Sequence, residues 1–245
     1  EETSKRLSDI LVKVVNPMVI FVSFQIEFDM KVLRGLAAVF LLAFLAHLIG
    51  MIFAHFFVSD QVDAWTMIYS NCGFMGIPLI NALLGAQGVI YLAAYIAVFN
   101  LVAWTHGISL MSGEKQQDIK SVLKLPAILA LIFGFLAFIF RIQLPSILVE
   151  PLDAVGSMNT PLAMLIAGVT IAQSDLWKAL RTIRNYFIVA CKLLIVPAVF
   201  AVICSFLPID DLPYITAVMA TACPTAALGT ILAVRYHRGE EKASH

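Results

Sequence analysis

Residues 36 to 58 form one apolar run that holds no Asp, Glu, Lys or Arg, and a run of that length meets the roughly 20 residues a helix needs to cross a bilayer. Seven further predominantly apolar runs lie at about 8 to 26, 64 to 81, 88 to 111, 125 to 140, 152 to 173, 185 to 207 and 213 to 234. Hydrocarbon offers the backbone no water, so such segments cross as helices that satisfy their own amides and carbonyls. The chain is therefore predicted to be an all-α membrane protein with eight transmembrane helices in its 245 residues. Composition agrees: 61% of residues are hydrophobic and 13% charged, against about 45–50% and 25% in soluble domains. Sixteen basic residues balance sixteen acidic ones, which leaves no electrostatic footprint for nucleic acid. The partner implied by this composition is the lipid bilayer.

Basic residues outside the runs are unevenly shared. The connections on the side of residue 1 carry Lys5, Arg6, Lys115, Lys120, Lys124, Lys178, Arg181, Arg184, Arg235, Arg238 and Lys242, whereas the opposite side carries Lys31, Arg34 and Arg141. Positive charge is retained on the cytoplasmic side of a cell (inner) membrane, so both ends of the sequence are expected there. An odd number of spans would scramble the bias.

Cys72, Cys191, Cys204 and Cys223 all lie inside apolar stretches without C-x-x-C spacing, so neither a zinc site nor a secreted disulfide framework is indicated. No cofactor motif is present either. The chain opens at Glu1 without the basic flank and short apolar core of a signal peptide, and it reads as trimmed.

Helix breakers recur in a pattern. Asn16 and Pro17 in the first span are matched by Thr160 and Pro161 in the sixth, 144 residues on, and Gly76, Ile77, Pro78 in the third by Ala222, Cys223, Pro224 in the eighth, 146 residues on. Five spans separate each member from its counterpart, so the two copies run in opposite directions through the membrane, as in inverted-repeat transporters. The organisation predicted is a first repeat over 1–111, a cytoplasmic linker over 112–124 and a second repeat over 125–245. Spans four and five lack partners in this scheme, and a five-span repeat predicts ten helices, one before Glu1 and one after His245.

The stretch from Ser70 to Pro78 places Asn71, Gly73 and Gly76 ahead of a proline, which cannot remain a regular helix because proline removes a donor and crowds the preceding turn. Backbone freed in this way must face protein or a water-filled cavity. If this segment and its counterpart around Pro224 and Thr225 unwind near mid-membrane and cross, two half-helix N-termini present N–H groups to one small volume suited to an anion.

These residues carry a resemblance. The stretch from Asn71 to Leu79, with Lys192 through Pro197 and Cys223 through Tyr236, resembles the auxin efflux carrier family of secondary transporters, and the likeness extends over Leu7 to Phe24 and Leu152 to Gly168. It implies ten helices in two inverted five-helix repeats, with crossing broken helices, like the bile-acid sodium symporters. The short central loop is similar to that of bacterial carriers of malate, malonate and related organic acids. By this resemblance Asn71, Gly73, Gly76, Pro78, Pro224 and Thr225 frame a substrate site, with Asn16, Pro17 and Pro161 on neighbouring helices, and a homodimer is implied.

Lys192 lies several residues inside the seventh span, where a central charge costs about 2.5–3.5 kcal/mol on insertion scales. At the repeat offset of 145 its counterpart is His47 in the second span. The pair could supply positive charge beside the interrupted helices, balancing helix carbonyl ends where a sodium ion would otherwise sit or meeting a substrate carboxylate. Alternatively Lys192 snorkels to the interface and His47 is a core histidine bonded to backbone. Asn159, beside Thr160, either lines the pathway or joins helices; Asn81 and Asn100 read as interhelical hydrogen-bonding groups. His55 and His106 read as interfacial.

The function these features predict is secondary active transport of a small organic anion, a mono- or dicarboxylate such as malate or malonate or an auxin-like acid, by alternating access with a proton or sodium gradient. A passive anion channel or a non-transporting membrane sensor on a carrier scaffold is the alternative. An enzyme is not indicated, since H-E-x-x-H, G-x-S-x-G and the P-loop are absent.

Overall fold

The computed structural model describes residues 2–113, 123–173, 180–226, 228–229, 232 and 236. The predicted linker over 112–124 and the stretch after Thr225 therefore fall largely outside the described residues. Among these the protein is all α, in agreement with the reading of the apolar runs. In chain order the helices are α1 (Glu2–Ile10), α2 (Asn16–Ser23), α3 (Met30–Phe57), α4 (Gln61–Ile68), α5 (Ile77–Val102), α6 (Ile108–Ser112), α7 (Pro126–Ile139), α8 (Ser146–Gly156), α9 (Asn159–Gln173), α10 (Ile183–Ala190), α11 (Val196–Ser205) and α12 (Asp211–Ala222).

Among the described residues three helical stretches are long and apolar enough to cross a membrane: Met30–Phe57, Cys72–Ser112 and Ile183–Ser205. The longest of them is two predicted spans joined, and Gly85 marks the joint. Its φ of 67° and ψ of −167° lie where a side chain is strained and glycine is not, so the chain turns there between the third and fourth predicted spans. Asp29 and Asp60 cap α3 and α4, accepting from Lys31 N–H and from Val62 and Asp63 N–H respectively. Both are ordinary acidic N-caps.

Prolines act here less as breakers than as wideners. Single π turns over Leu11–Val15, Cys72–Gly76 and Cys191–Ile195 each run directly into a helix whose second residue is proline, at Pro17, Pro78 and Pro197. A proline ring collides with the carbonyl four residues back, and in each case that residue (Lys13, Phe74 or Leu193) lies in the π turn. Enlarging the turn moves the carbonyl aside without ending the helix. A fourth π turn, Ala103–Gly107, has no proline after it.

The helices fall into two packed groups. In one, α2 lies against α7 and α8 while α1 meets α9, around Leu11, Val15, Leu162 and Ala163. In the other, α3, α4, α5, α11 and α12 surround the main core, which includes Trp65, Tyr69, Tyr95 and Phe200. Each group draws on both halves of the sequence. They meet along a seam where α2 and α9 touch α5, and where the first two π turns touch each other. At one end of the second group an ion pair between Asp63 and Arg184 ties the start of α4 to the start of α10.

Close approach within the second group depends on small residues. A Cβ on Gly50 would stand 3.1 Å from the backbone Cα of Ile68, which cannot rotate away. Gly50→Val should push α4 off α3 and cost about 1–3 kcal/mol, read as a thermal unfolding midpoint in detergent lowered by several degrees.

Candidate functional site

Two helices of the second group are interrupted, and the interruptions lie against one another. The first comes between Ile68 and Cys72, a few residues before the Gly-Gly-Pro cluster. The second follows Ala222, where Cys223 takes ψ of 146° before Pro224. Ser70 and Thr225 form an isolated antiparallel bridge: Asn71 N–H donates to Pro224 O at 2.7 Å, and Ala226 N–H to Tyr69 O at 3.0 Å. Side chains complete the exchange, with Ser70 Oγ donating to Thr221 O at 2.9 Å and Thr225 Oγ1 to Thr66 O at 2.9 Å. Each interrupted helix thus finds hydrogen-bond partners in the other, where lipid would supply none.

Asn71 starts the second half of its helix. Its Oδ1 accepts from Phe74 N–H at 3.2 Å, and its carbonyl accepts from Met75 and Gly76 N–H. Gly76 packs beside Cys72 and Cys223, and Pro78 is buried directly behind it. Gly73 faces the other helix group, where a Cβ would lie 3.8 Å from Asn16 Nδ2. Asn16 in turn accepts from Asn159 Nδ2 at 2.5 Å, while Asn159 Oδ1 is buried without a hydrogen-bond partner. Asn159 therefore bonds across helices from the first residue of α9.

Lys192 does not reach an interface in this structure. It is 2% exposed, and its Nζ donates to Ser70 Oγ at 2.6 Å, on the bridge itself. Among the described residues no carboxylate lies within ion-pair distance of it. Lys13, by contrast, is largely exposed and paired with Asp9 at 3.1 Å. His47 bonds through Nδ1 to Ala43 O at 2.7 Å, as a core histidine does, but its Nε2 is buried and unpartnered. Its ring packs on Tyr69, Tyr95 and Phe99, and the Tyr95 hydroxyl meets Thr221 Oγ1 at 3.2 Å. Thr221, Tyr95 and Tyr69 so connect His47 to the same bridge that holds Lys192.

Most of the residues singled out from the sequence are thus neighbours, and Ser70, Thr221 and Tyr95 join them. Ser70 is the polar residue immediately before Asn71 in an apolar run, which is the signal that could have found it. Thr221 and Tyr95 carry no comparable signal, since threonine and tyrosine are ordinary in membrane helices. Asn81 is exposed, and Asn100 bonds Ile96 O on its own helix, so among the described residues neither joins helices. His106 accepts or donates a 2.8 Å hydrogen bond with the Tyr69 hydroxyl and is not merely interfacial. No cluster of three or more His, Cys, Asp or Glu that could hold a metal occurs among the described residues.

The arrangement is a buried amine, a helix start and two carboxamides gathered where two interrupted helices meet a second helix group. A search of curated proteins finds no match. The family described as membrane transport protein matches over residues 1–121 and 116–245. With the sequence covered end to end, the chain belongs to this membrane transport protein family, that of the auxin efflux carriers.

Proposed function

We propose that the protein is a secondary active carrier of a small organic anion, a mono- or dicarboxylate such as malate or malonate or an auxin-like acid. The observation that carries this reading is Lys192: a buried amine bonded to Ser70, with no carboxylate beside it among the described residues. A charged ammonium in such a place is costly unless an anion joins it. A substrate carboxylate would supply that anion. The N–H groups that open the turn after Asn71 would add their partial positive charge on the same side. Gly73 keeps the approach to the backbone open, Gly76 lets the turn pack against Cys223, and Pro78, Pro224 and Thr225 hold the interruption in place. Asn16 and Asn159, from the other helix group, would close on the solute across the seam.

Alternating access then amounts to the second group shifting along the first, so that the seam opens to one side of the membrane and afterwards to the other. Support for this comes from the division into two groups and from the matched breakers in the two sequence halves, read as inverted repeats over 1–111 and 125–245. The excess of Lys and Arg on one set of connections supports a cytoplasmic location for both ends, in a cell (inner) membrane. Proton coupling is favoured over sodium, because Lys192 stands on the bridge and His47 near it as basic groups, and among the described residues no carboxylate pairs with Lys192.

Counterflow in proteoliposomes tests the class. Labelled malate or malonate should accumulate transiently against unlabelled acid inside, and an imposed inward proton gradient should raise uptake where a sodium gradient does not. A channel shows no trans-stimulation, and a sensor binds without flux.

Lys192→Met tests the site. Uptake should fall at least tenfold while the thermal midpoint stays within a few degrees, since replacing a buried charge by an apolar chain of similar length is tolerated. Wild-type uptake by a folded Lys192→Met chain would refute the role given to this amine.

A further inference from the structure

Cys72 and Cys223 stand at the two interruptions: Cys72 follows Asn71, and Cys223 precedes Pro224. The bridge fixes an antiparallel register in which Tyr69 faces Ala226, Ser70 faces Thr225 and Asn71 faces Pro224. One residue beyond this pairing, Cys72 opens the π turn and Cys223 is the residue that ends α12, so the two cysteines flank the bridge, both on its Asn71–Pro224 side.

Gly76 gives an independent measure of how close the thiols come. The point where its Cβ would lie is 3.5 Å from Cys72 Cβ and 3.6 Å from Cys223 Sγ. One missing methyl group is therefore in contact with both cysteines, and glycine at this position leaves the space between them open. Both thiols are free and buried, at 0% and 2% exposure. The Lys192 amine, held on Ser70, is within electrostatic reach of both.

We propose that Cys72 and Cys223 are a redox-sensitive pair whose oxidation to a disulfide staples the two interrupted helices together at their bridge and arrests the carrier. The oxidant class is a small uncharged peroxide, able to reach any place that water reaches. One thiolate attacks an oxygen of hydrogen peroxide, the O–O bond breaks, and a sulfenic acid forms while the departing hydroxide takes up a proton as water. The second thiol then attacks that sulfur and the S–O bond breaks, releasing a second water as the S–S bond forms. Two thiols have lost two electrons and two hydrogens, and one peroxide has become two waters.

The chemistry of the pair stands by itself, and only the transport readout rests on the function proposed above. The full chain in proteoliposomes is treated with hydrogen peroxide, digested without reduction and mapped by mass spectrometry. A peptide joining residue 72 to residue 223, lighter by two hydrogens, is expected, together with a raised thermal midpoint that dithiothreitol returns to its starting value. Labelled malate uptake should fall at least fivefold on oxidation and recover with dithiothreitol, while Cys72→Ala and Cys223→Ala chains keep their pre-treatment uptake in peroxide. Mapping on the unaltered chain settles the linkage even if either variant fails to fold, and it separates this pair from Cys191 and Cys204. Two thiols still free after oxidation overturn the proposal, as does a linked chain that transports at its original rate. Absence of carboxylate uptake before any oxidation counts against the carrier reading instead, and linkage with the midpoint shift then decides the thiol pair.

Discussion

A helix that stops inside a membrane leaves carbonyls and amides that no solvent can satisfy, and the organisation of this protein follows from how two such stops satisfy each other. Asn71 N–H reaches Pro224 O, Ala226 N–H reaches Tyr69 O, Ser70 Oγ reaches Thr221 O and Thr225 Oγ1 reaches Thr66 O. Each of these bonds joins residues about 150 positions apart in sequence. Removing one leaves an unpaired polar group in a dry interior, at about 1–3 kcal/mol. The two interruptions are therefore one structural unit, and each is only tenable because the other is present. A buried amine can lodge at the same place because Ser70 accepts its hydrogen bond while giving its own to Thr221.

Much of the fold was readable in the order of residues, because the bilayer reduces the problem to finding apolar runs. Pro17, Pro78, Pro161 and Pro224 marked irregular helices by chemistry that acts within one turn, and those signals are local. What could not be read is non-local. The interruption falls at Ser70 and Asn71 and not at Gly76 and Pro78, because a widened turn accommodates the proline and the actual break is set by partners on the far half of the chain. Pro197 shows the same local physics without any break at all. For the site, Lys192 and Asn71 stood out as polar residues in apolar surroundings, whereas Thr221 and Tyr95 acquire meaning only from what they touch. Asn81 and Asn100 show the converse, as polar residues in apolar runs that join no helices among the described residues.

The division into two helix groups bears on motion. Contacts within the second group are tight and depend on glycine, as at Gly50 and around Trp65, where Gly107 and Gly229 both press against the indole. Along the seam the contacts are fewer and include the carboxamide pair Asn16 and Asn159, which lies opposite Gly73. A rigid body packed around interrupted helices, set against a second body by a small number of polar and apolar contacts, can slide without being dismantled.

Pro224 limits what the bridge can become. Asn71 gives its N–H to the proline carbonyl, but the proline has no N–H to return, so the Asn71 carbonyl is left free to receive Met75 and Gly76 and begin a helix. With an ordinary residue there, the same carbonyl would have two suitors, and the pairing could run on as a ribbon at the expense of the first helical turn. The imino acid thus confines extended backbone to a single rung and hands the chain back to helix on its far side, which keeps a sheet from growing in the middle of a membrane.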